Sequence, residues 1–543
     1  MQGLMQDFPL TVESIFRRGT SYFSGSRVVT RTAGATERTS FGELGAETRR
    51  LAHALDHLGL SADARIGSFA WNTARHLALY FAVPGTGRIL HTVNIRYFPE
   101  HVRYSIDHAE DEALFVDASL VHLLEPHLPH LRCVRHIVVM DDGGATGPLP
   151  DDSRIISWEA LLGGADEADL SERVRDENRA AALCYTTGTT GNPKGVLYSH
   201  RSIWLHANAG VSAAGTAVTD RDVVMPVVPM FHAMAWGLPY TAFQAGAGLV
   251  MPGPDLSPTG VLELMSRERV TYSAGVPTIW MGALPLLDRY DLSSLDRIVA
   301  GGSAVPVSLS EGYRAALGFP ITQAWGMTEV SPIGSLARLR ADMDDLGEEA
   351  GARWRATAGL PLHGVQARIV DAGTGAELPW DDTRRGELEV RGPWIARQYY
   401  RREGEGDQLS PDGWLRTGDV AAISPLGFIR LVDRTKDLVK SGGEWISSVD
   451  LENAIMAHPA VAEAAVIAVP HPRWMERPLA CVVVKHGHEL GRQDVLDFLG
   501  ERLERWQVPD DVVFLDRIPK TSVGKFNKVT LRDRFAGHVL PTG

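Results

Sequence analysis

The sequence predicts an α/β protein: a large, multi-lobed N-terminal α/β domain followed by a small α+β C-terminal domain. Three observations carry this. The first 180 residues alternate helix-like and strand-like segments, the signature of a wound α/β lobe. An apolar run, Ala180 to Cys184, then leads into a Thr/Gly-rich loop. Near Asp433 to Asp437 the pattern changes to short, mixed helices and strands over the last roughly 100 residues.

Ser40-Phe-Gly-Glu43 is a capping box. Phe41, Leu44, Thr48, Leu51, Leu55 and Leu58 follow at helical spacing, and Gly59 closes the helix. Arg65 to Trp71 and Ala113 to Val116 read as strands, with a helix over His76 to Val83. Asp141 to Asp152, rich in Gly, Asp and Pro, is a loop.

The loop Tyr185-Thr-Thr-Gly-Thr-Thr-Gly-Asn-Pro-Lys-Gly195 holds three glycines, four threonines and one lysine. Glycines let the backbone approach a ligand, and successive N–H groups form a concave anion site. The composition suits a polyphosphate. The loop is not a Walker A motif, because Pro193 precedes Lys194 and Gly195 follows it.

Val223 to Tyr240 is apolar apart from His232. On composition alone His232, Met234 and Trp236 read as core. Thr271 to Thr278 and Ile298 to Ala304 are strands ending in small residues, which leave room for a ligand at a sheet edge. Gln323-Ala-Trp-Gly-Met-Thr-Glu329 places a ring, a hydroxyl and a carboxylate within five residues. Trp325 suits stacking on a purine, Thr328 a phosphate, and Glu329 a magnesium ion; a loop with a helix-starting Thr-Glu pair is the bland alternative. Ala341 to Glu349 is acidic and reads as a solvated loop. Gly386 to Gly392 alternates like a half-exposed strand, and Leu415-Arg-Thr-Gly-Asp419 follows. Asp419 is either a ribose ligand or part of an Asx-type turn. In the C-terminal part, a helix is expected over Val449 to Ala457, strands over Ala464 to Val469 and Ala480 to Val484, and a helix carrying Val495, Leu499 and Leu503. Pro519-Lys-Thr-Ser-Val-Gly-Lys525 is a polar, flexible loop with two lysines.

The 543 residues are too many for one core and suggest two to four domains or lobes. The net charge of −13 argues against a general nucleic-acid binder. The three cysteines, Cys133, Cys184 and Cys481, have no metal-ligand spacing and fit a reducing compartment. The sequence has no signal peptide and no run of about 18 apolar residues, so a cytoplasmic location is expected.

Taken in order, the Thr/Gly loop, Gly-Met-Thr-Glu, Thr-Gly-Asp, Asp-Arg-Thr-Lys-Asp and the terminal Gly-Lys resemble the adenylate-forming (ANL) superfamily of acyl-CoA synthetases, adenylation domains and luciferases. The resemblance covers essentially the whole chain. Val228 to Trp236 and Lys440 to Glu452 are most similar to the long-chain and medium-chain fatty acyl-CoA synthetases. It implies an N-terminal domain over 1–434 and a mobile C-terminal domain over 435–543. It implies ATP, Mg²⁺ and coenzyme A as co-substrates and cofactor, and a hydrophobic acid: a medium- or long-chain fatty acid, or a bulky polycyclic one. Carrier-protein loading and luciferase-like oxygenation are the alternatives. A homodimer, and peripheral membrane contact for a lipidic acid, are further expectations.

The resemblance also implies roles. Thr186, Thr187, Gly188, Thr189, Thr190, Gly191 and Lys194 would hold the β- and γ-phosphates, with Thr186 and Glu329 near the metal. Gly302, Gln323, Ala324, Trp325 and Gly326 would line the adenine pocket. Thr328 would touch the α-phosphate, Asp419 and Arg434 would take the ribose, and Lys436 would be the pivot. Lys440, with Lys436, would also bind the nucleotide, Lys440 and Trp445 lying where the hinge side meets nucleotide and CoA, and Gly442 and Gly443 would lie on the hinge and CoA side. Lys525 would be the adenylation lysine. His232 would sit beside the acyl carboxylate, and Met234, Trp236 and Gly275 would line the acyl pocket. This reverses the compositional reading of His232 and Trp236. Trp325 and Ala324 depart from the more usual tyrosine and glycine.

Overall fold

The computed structural model describes residues 1–543 except 145–146, 187–191, 402–407, 443, 522–523 and 542–543, and the side chain of residue 444. Thr187, Gly188, Thr189, Thr190, Gly191 and Gly443, all expected site residues, therefore lie outside the described residues.

Among the described residues the strands form four sheets, of nine, seven, four and five strands. The nine-stranded sheet has a parallel centre running Thr322–Gly326, Arg297–Gly301, Tyr272–Gly275, Val223–Pro226, Gly248–Met251 and Arg27–Arg31. The seven-stranded sheet is parallel from Ile155–Ser157 to Ala180–Tyr185, with antiparallel Gly195–Ser199 at its edge. Helices Phe41–His57, Ala74–Gly85, His200–Val211 and Leu238–Ala245 fill the space between these sheets. One apolar core links them, with Leu90 and Ala182 from one sheet, Val224 and Leu249 from the other, and Phe81 and Phe243 from the helices. Parallel strands buried on both faces read as continuous apolar runs, which is why Ala180 to Cys184 was legible.

The four-stranded antiparallel sheet comprises Gln366–Val370, Gly386–Arg391, Leu415–Ile423 and Ile429–Arg434. The remaining sheet belongs to the small C-terminal domain. There Val461–His471 pairs antiparallel with Met475–Val484, and Asp511–Phe514 adds in parallel. Helices Ser448–Met456 and Arg492–Gly500 pack on it, Val495 and Leu499 buried with Val466 and Val482.

The capping box is present: Glu43 N–H donates to Ser40 Oγ, and Glu43 Oε2 accepts from Ser40 N–H. Three sequence expectations change. Thr271 to Thr278 is a strand only to Gly275, because Pro277 opens helix Pro277–Ala283 at the position proline favours. Ala341 to Glu349 is not a plain loop: it holds a short 3₁₀ turn, and Glu348 and Glu349 start helix Glu348–Arg355, where acidic groups complement the helix dipole. Leu415 to Asp419 lies within strand Leu415–Ile423 rather than a turn. Gly418, at φ 70°, lets that strand bend and aims Asp419 inward.

Candidate active site

The carboxyl ends of the parallel strands converge on one place, as expected for ligand sites in wound α/β sheets. Strand Arg297–Gly301 ends at Gly302, which has φ 87°. A Cβ there would come within 3.0 Å of Lys525 Cε, so the missing side chain is what admits the lysine. Gly524, at φ 84°, turns the C-terminal loop in, and Thr278 Oγ1 donates to its carbonyl at 3.4 Å.

Lys525 is largely desolvated, and its pKa is pushed down to about 8, first by burial and then by the neighbouring Arg434. Asp419 and Glu329 act in the opposite direction. Asp419, 6 % exposed, accepts from Trp325 Nε1–H at 2.8 Å and pairs with Arg434 Nε at 3.0 Å. Asp419 and Arg434 also face each other across the sheet. The Asp419 charge holds the Arg434 pKa up. Lys436 lies close enough to depress Lys525 further, and its own pKa is lowered by burial.

Thr328 and Glu329 are buried in a tight 3₁₀ turn after strand Thr322–Gly326. Tyr198 Oη donates to the Thr328 carbonyl at 2.6 Å. Tyr399 Oη donates to Glu329 Oε1, and Ala396 N–H donates to the Glu329 carbonyl at 2.8 Å. Lys194 Nζ lies 4.7 Å from the centre of the same Tyr399 ring. The phosphate-type loop is pinned at its base: Lys194 N–H donates to Thr186 Oγ1 at 3.2 Å, and Tyr97 Oη donates to the Thr186 carbonyl at 2.7 Å.

On the other side of Lys525 is His232. Burial, then the Lys525 charge, lowers its pKa to about 3, so it is neutral at pH 7. The five residues after it, Ala233 to Gly237, all have positive φ, from 38° to 74°. Four are not glycine, and each such residue costs about 1–2 kcal/mol. Close packing holds this left-handed turn: Ala233, Met234, Ala235 and Trp236 are all buried. Gly237 must be glycine, since a Cβ would stand 2.6 Å from His206 Nδ1. Trp236 abuts the sheet, 3.3 Å from where a Gly301 Cβ would be. Behind it lies a cavity of only about 10 Å³, barely room for one water, lined by His206, Gly210, Thr216, Trp236, Thr241 and Leu362.

Other expected residues sit differently. The Gln323 side chain is spent inside the protein, accepting from Val305 N–H at 2.7 Å and donating to the Thr357 carbonyl at 3.1 Å. It shapes the turn after Gly302 rather than presenting its amide. Ala324 is buried beside it. Gly326 is dictated by the backbone, because a Cβ would fall 1.9 Å from the Pro332 carbonyl oxygen. Gly275 packs against Trp280, 3.1 Å from an added Cβ. Lys440 and Trp445 face each other on the C-terminal hairpin, and Gly442 at φ 61° lies under Trp474. Tyr399 and Tyr198 were missed by sequence reasoning. An aromatic pair, Tyr399-Tyr400, was the only local signal, and nothing in it specified a partner.

The family model described as AMP-binding enzyme matches residues 17–400, and that described as AMP-binding enzyme C-terminal domain matches 450–525. The chain belongs to the AMP-binding enzyme family. It is an adenylate-forming acyl-CoA synthetase, an ATP-dependent, AMP-forming acid–CoA ligase. It is 43 % identical to the 3-methylmercaptopropionyl-CoA ligase of Ruegeria lacuscaerulensis, over 98 % of this chain and 99 % of that protein. It is also 43 % identical to the long-chain-fatty-acid–CoA ligase of Thermus thermophilus, over 98 % and 97 %. Among solved structures it resembles the anthranilate CoA ligase AuaEII in complex with anthranoyl-AMP, with TM-score 0.86, 25 % identity, and coverage of 98 % and 100 %. Among the described residues no helix is long and apolar enough to cross a membrane.

For this AMP-binding enzyme, Tyr399→Phe should remove one charge-assisted hydrogen bond to Glu329, worth about 1.5–3 kcal/mol. The expected result is a roughly tenfold or greater rise in KM for magnesium-ATP at fixed acid, together with a lowered thermal midpoint. Steady-state kinetics with a coupled pyrophosphate assay checks it.

Proposed function

We propose that this enzyme activates a hydrophobic carboxylic acid as its acyl-adenylate and passes the acyl group to coenzyme A, with Lys525 acting only in the first half-reaction. The observation that carries the reading is Lys525 seated against Gly302, between the Asp419–Arg434 pair and His232.

In the first step a carboxylate oxygen of the acid attacks the α-phosphorus of ATP, and pyrophosphate leaves with the electrons of the broken P–O bond. Negative charge grows on the α-phosphate oxygens. Fixed cations aimed there are the main source of rate. Lys525 supplies one and needs no reorganisation, since the site already holds it. Thr186 and Glu329 offer hard oxygen donors and would hold a magnesium ion, which when bound shields the phosphate charges. Thr328 would donate to the α-phosphate, and Lys194 with the Thr/Gly loop would hold the outer phosphates. Asp419 would exchange its present donors for the ribose hydroxyls, and Trp325 would stack on adenine. Neutral His232 would face the acid's carboxyl group without trapping the nucleophile in an ion pair.

In the second step the C-terminal domain, 435–543, would turn about Lys436 and withdraw Lys525. The thiolate of CoA attacks the acyl carbon, and AMP leaves with the electrons of the C–O bond. The Gly442–Trp445 hairpin would then line the thiol's approach. The acyl chain would enter the cavity behind Trp236. That cavity is small and carries Thr216, Thr241 and His206 on its walls. At about 10 Å³ it holds no acyl chain as it stands, so any acid entering there would require Trp236 or its neighbours to move aside.

Purified enzyme with magnesium-ATP and a panel of aliphatic, aryl and polycyclic acids, read by mass spectrometry with and without CoA, tests the reading. Acyl-CoA forming only when CoA is present supports it. Acyl-adenylate persisting in the presence of CoA moves the reading to carrier-protein loading. Lys525→Ala should lower adenylate formation by about 10²–10³ while leaving conversion of supplied acyl-AMP to thioester intact. Equal loss in both steps would sink the one-step role of the lysine.

A pH dependence follows from the same residue. Lys525 must be protonated to act, so kcat/KM for ATP in adenylation should hold below its pKa and fall as pH rises through about 8. Lys525→Arg keeps its charge at all accessible pH, and the alkaline limb should disappear from its profile.

A further inference from the structure

A second charged cluster, buried at Asp433 and Ser448 and partly exposed at Lys528 and Glu452, lies outside the nucleotide site and spans the hinge. Asp433 precedes Arg434 in the last strand of the four-stranded sheet, Ile429–Arg434. Its Oδ2 accepts from Ser448 N–H at 2.6 Å and from Ser448 Oγ–H at 2.5 Å. Ser447 Oγ donates to the Val432 carbonyl. The Ser448 hydroxyl, having given its proton to Asp433, accepts from Lys528 Nζ at 2.5 Å. Lys528 Nζ also pairs with Glu452 Oε1 at 2.7 Å, and that oxygen accepts from Val466 N–H at 2.8 Å. Asp433 is 5 % exposed and Ser448 is 0 % exposed.

The position of these groups along the chain gives the cluster its meaning. Val432 and Asp433 precede the pivot Lys436; Ser447, Ser448, Glu452 and Lys528 follow it. The bonds between the two sets therefore cross the hinge. Any rotation of the C-terminal domain about Lys436 pulls Asp433 away from Ser448 and Lys528. A buried carboxylate and a buried ammonium are tolerated only when paired. The cluster is thus satisfied in the arrangement that seats Lys525 in the site. Lys528 opens helix Lys528–Arg534, three residues beyond Lys525, so its anchoring also fixes the root of the Lys525 loop.

We propose that Asp433, Ser448 and Lys528 form a hinge-crossing latch that stabilises the adenylation arrangement, with Lys528 as a positioning residue for Lys525. The inference rests on the domain rotation of the proposed function.

The test is a double-mutant cycle of Asp433→Asn and Lys528→Met, read in four ways: adenylation kcat by ATP–pyrophosphate exchange, KM for ATP, thioester formation from supplied acyl-AMP, and the rate of tryptic cleavage at the hinge. Each single change should lower adenylation kcat by about 5–150-fold, the range of an ordinary coupling between states. Thioester formation should stay within about twofold, hinge cleavage should quicken, and the double variant should be no worse than the poorer single one. Lys528→Arg should recover part of the adenylation rate. A parallel fall in thioester formation, which marks simple damage to the domain, overturns the latch. So do additive effects, or an effect of Asp433→Asn confined to KM for ATP, which would mean action through Arg434. Ser448→Ala takes the place of Lys528→Met if that variant does not fold. Should the unaltered enzyme form neither adenylate nor thioester with any acid, the proposed function fails by itself. Hinge cleavage then judges the latch alone, and an unchanged rate in the variants overturns it.

Discussion

A desolvated ammonium group is the constraint around which the rest of the site is arranged. Lys525 reaches into the sheet edge from the C-terminal domain, and burial pulls its pKa down to about 8. It keeps most of its charge at neutral pH because the surrounding signs nearly balance. Arg434 and Lys436 oppose it; Asp419 and Glu329 favour it. A cation held with little water interacts strongly with any anion placed beside it. It would also be costly to leave there without such partners.

That arrangement explains several residues that do nothing chemical themselves. Gly302 is empty space for the lysine. Gln323 closes the turn that carries Gly302 by tying Val305 to Thr357. Gly418 bends the strand so that Asp419 faces inward, where Trp325 and Arg434 hold it. Tyr198 and Tyr399 fix the backbone and carboxylate of the Thr328–Glu329 turn. Each is a small local requirement, and together they hold Asp419, Arg434 and Glu329 in place around the lysine.

Much of this was legible in sequence, for a physical reason. Buried parallel strands must be apolar throughout and helix starts must be capped, so Ala180 to Cys184 and Ser40 to Glu43 declare themselves, whereas residues 187–191 of the Thr/Gly loop lie outside the described residues. Lys525, Asp419 and Glu329 became candidates through motif order, and the fold brings them together although about 200 residues separate Glu329 from Lys525. What stayed hidden is what depends on tertiary context. Nothing in Leu415 to Asp419 announces a strand, because its ladder partners are supplied by Gly386–Arg391 and Ile429–Arg434. Tyr399 lacks any local mark of its target. Gln323 looks like a ligand-facing amide until both of its ends are seen to be satisfied inside the protein.

The acyl side obeys a different rule. Side chains on regular elements can change rotamer to suit a substrate, but Trp236 is carried by a left-handed turn of five residues. Four non-glycine residues at positive φ hold only because the core around them dictates it. The backbone, then, sets where the ring stands. A substitution among Ala233, Met234 and Ala235 would move the Trp236 ring through that backbone. Overall similarity cannot replace this local reading. The chain is 43 % identical both to a ligase named for 3-methylmercaptopropionate and to one named for long-chain fatty acids. Overall identity therefore does not select between the two acids.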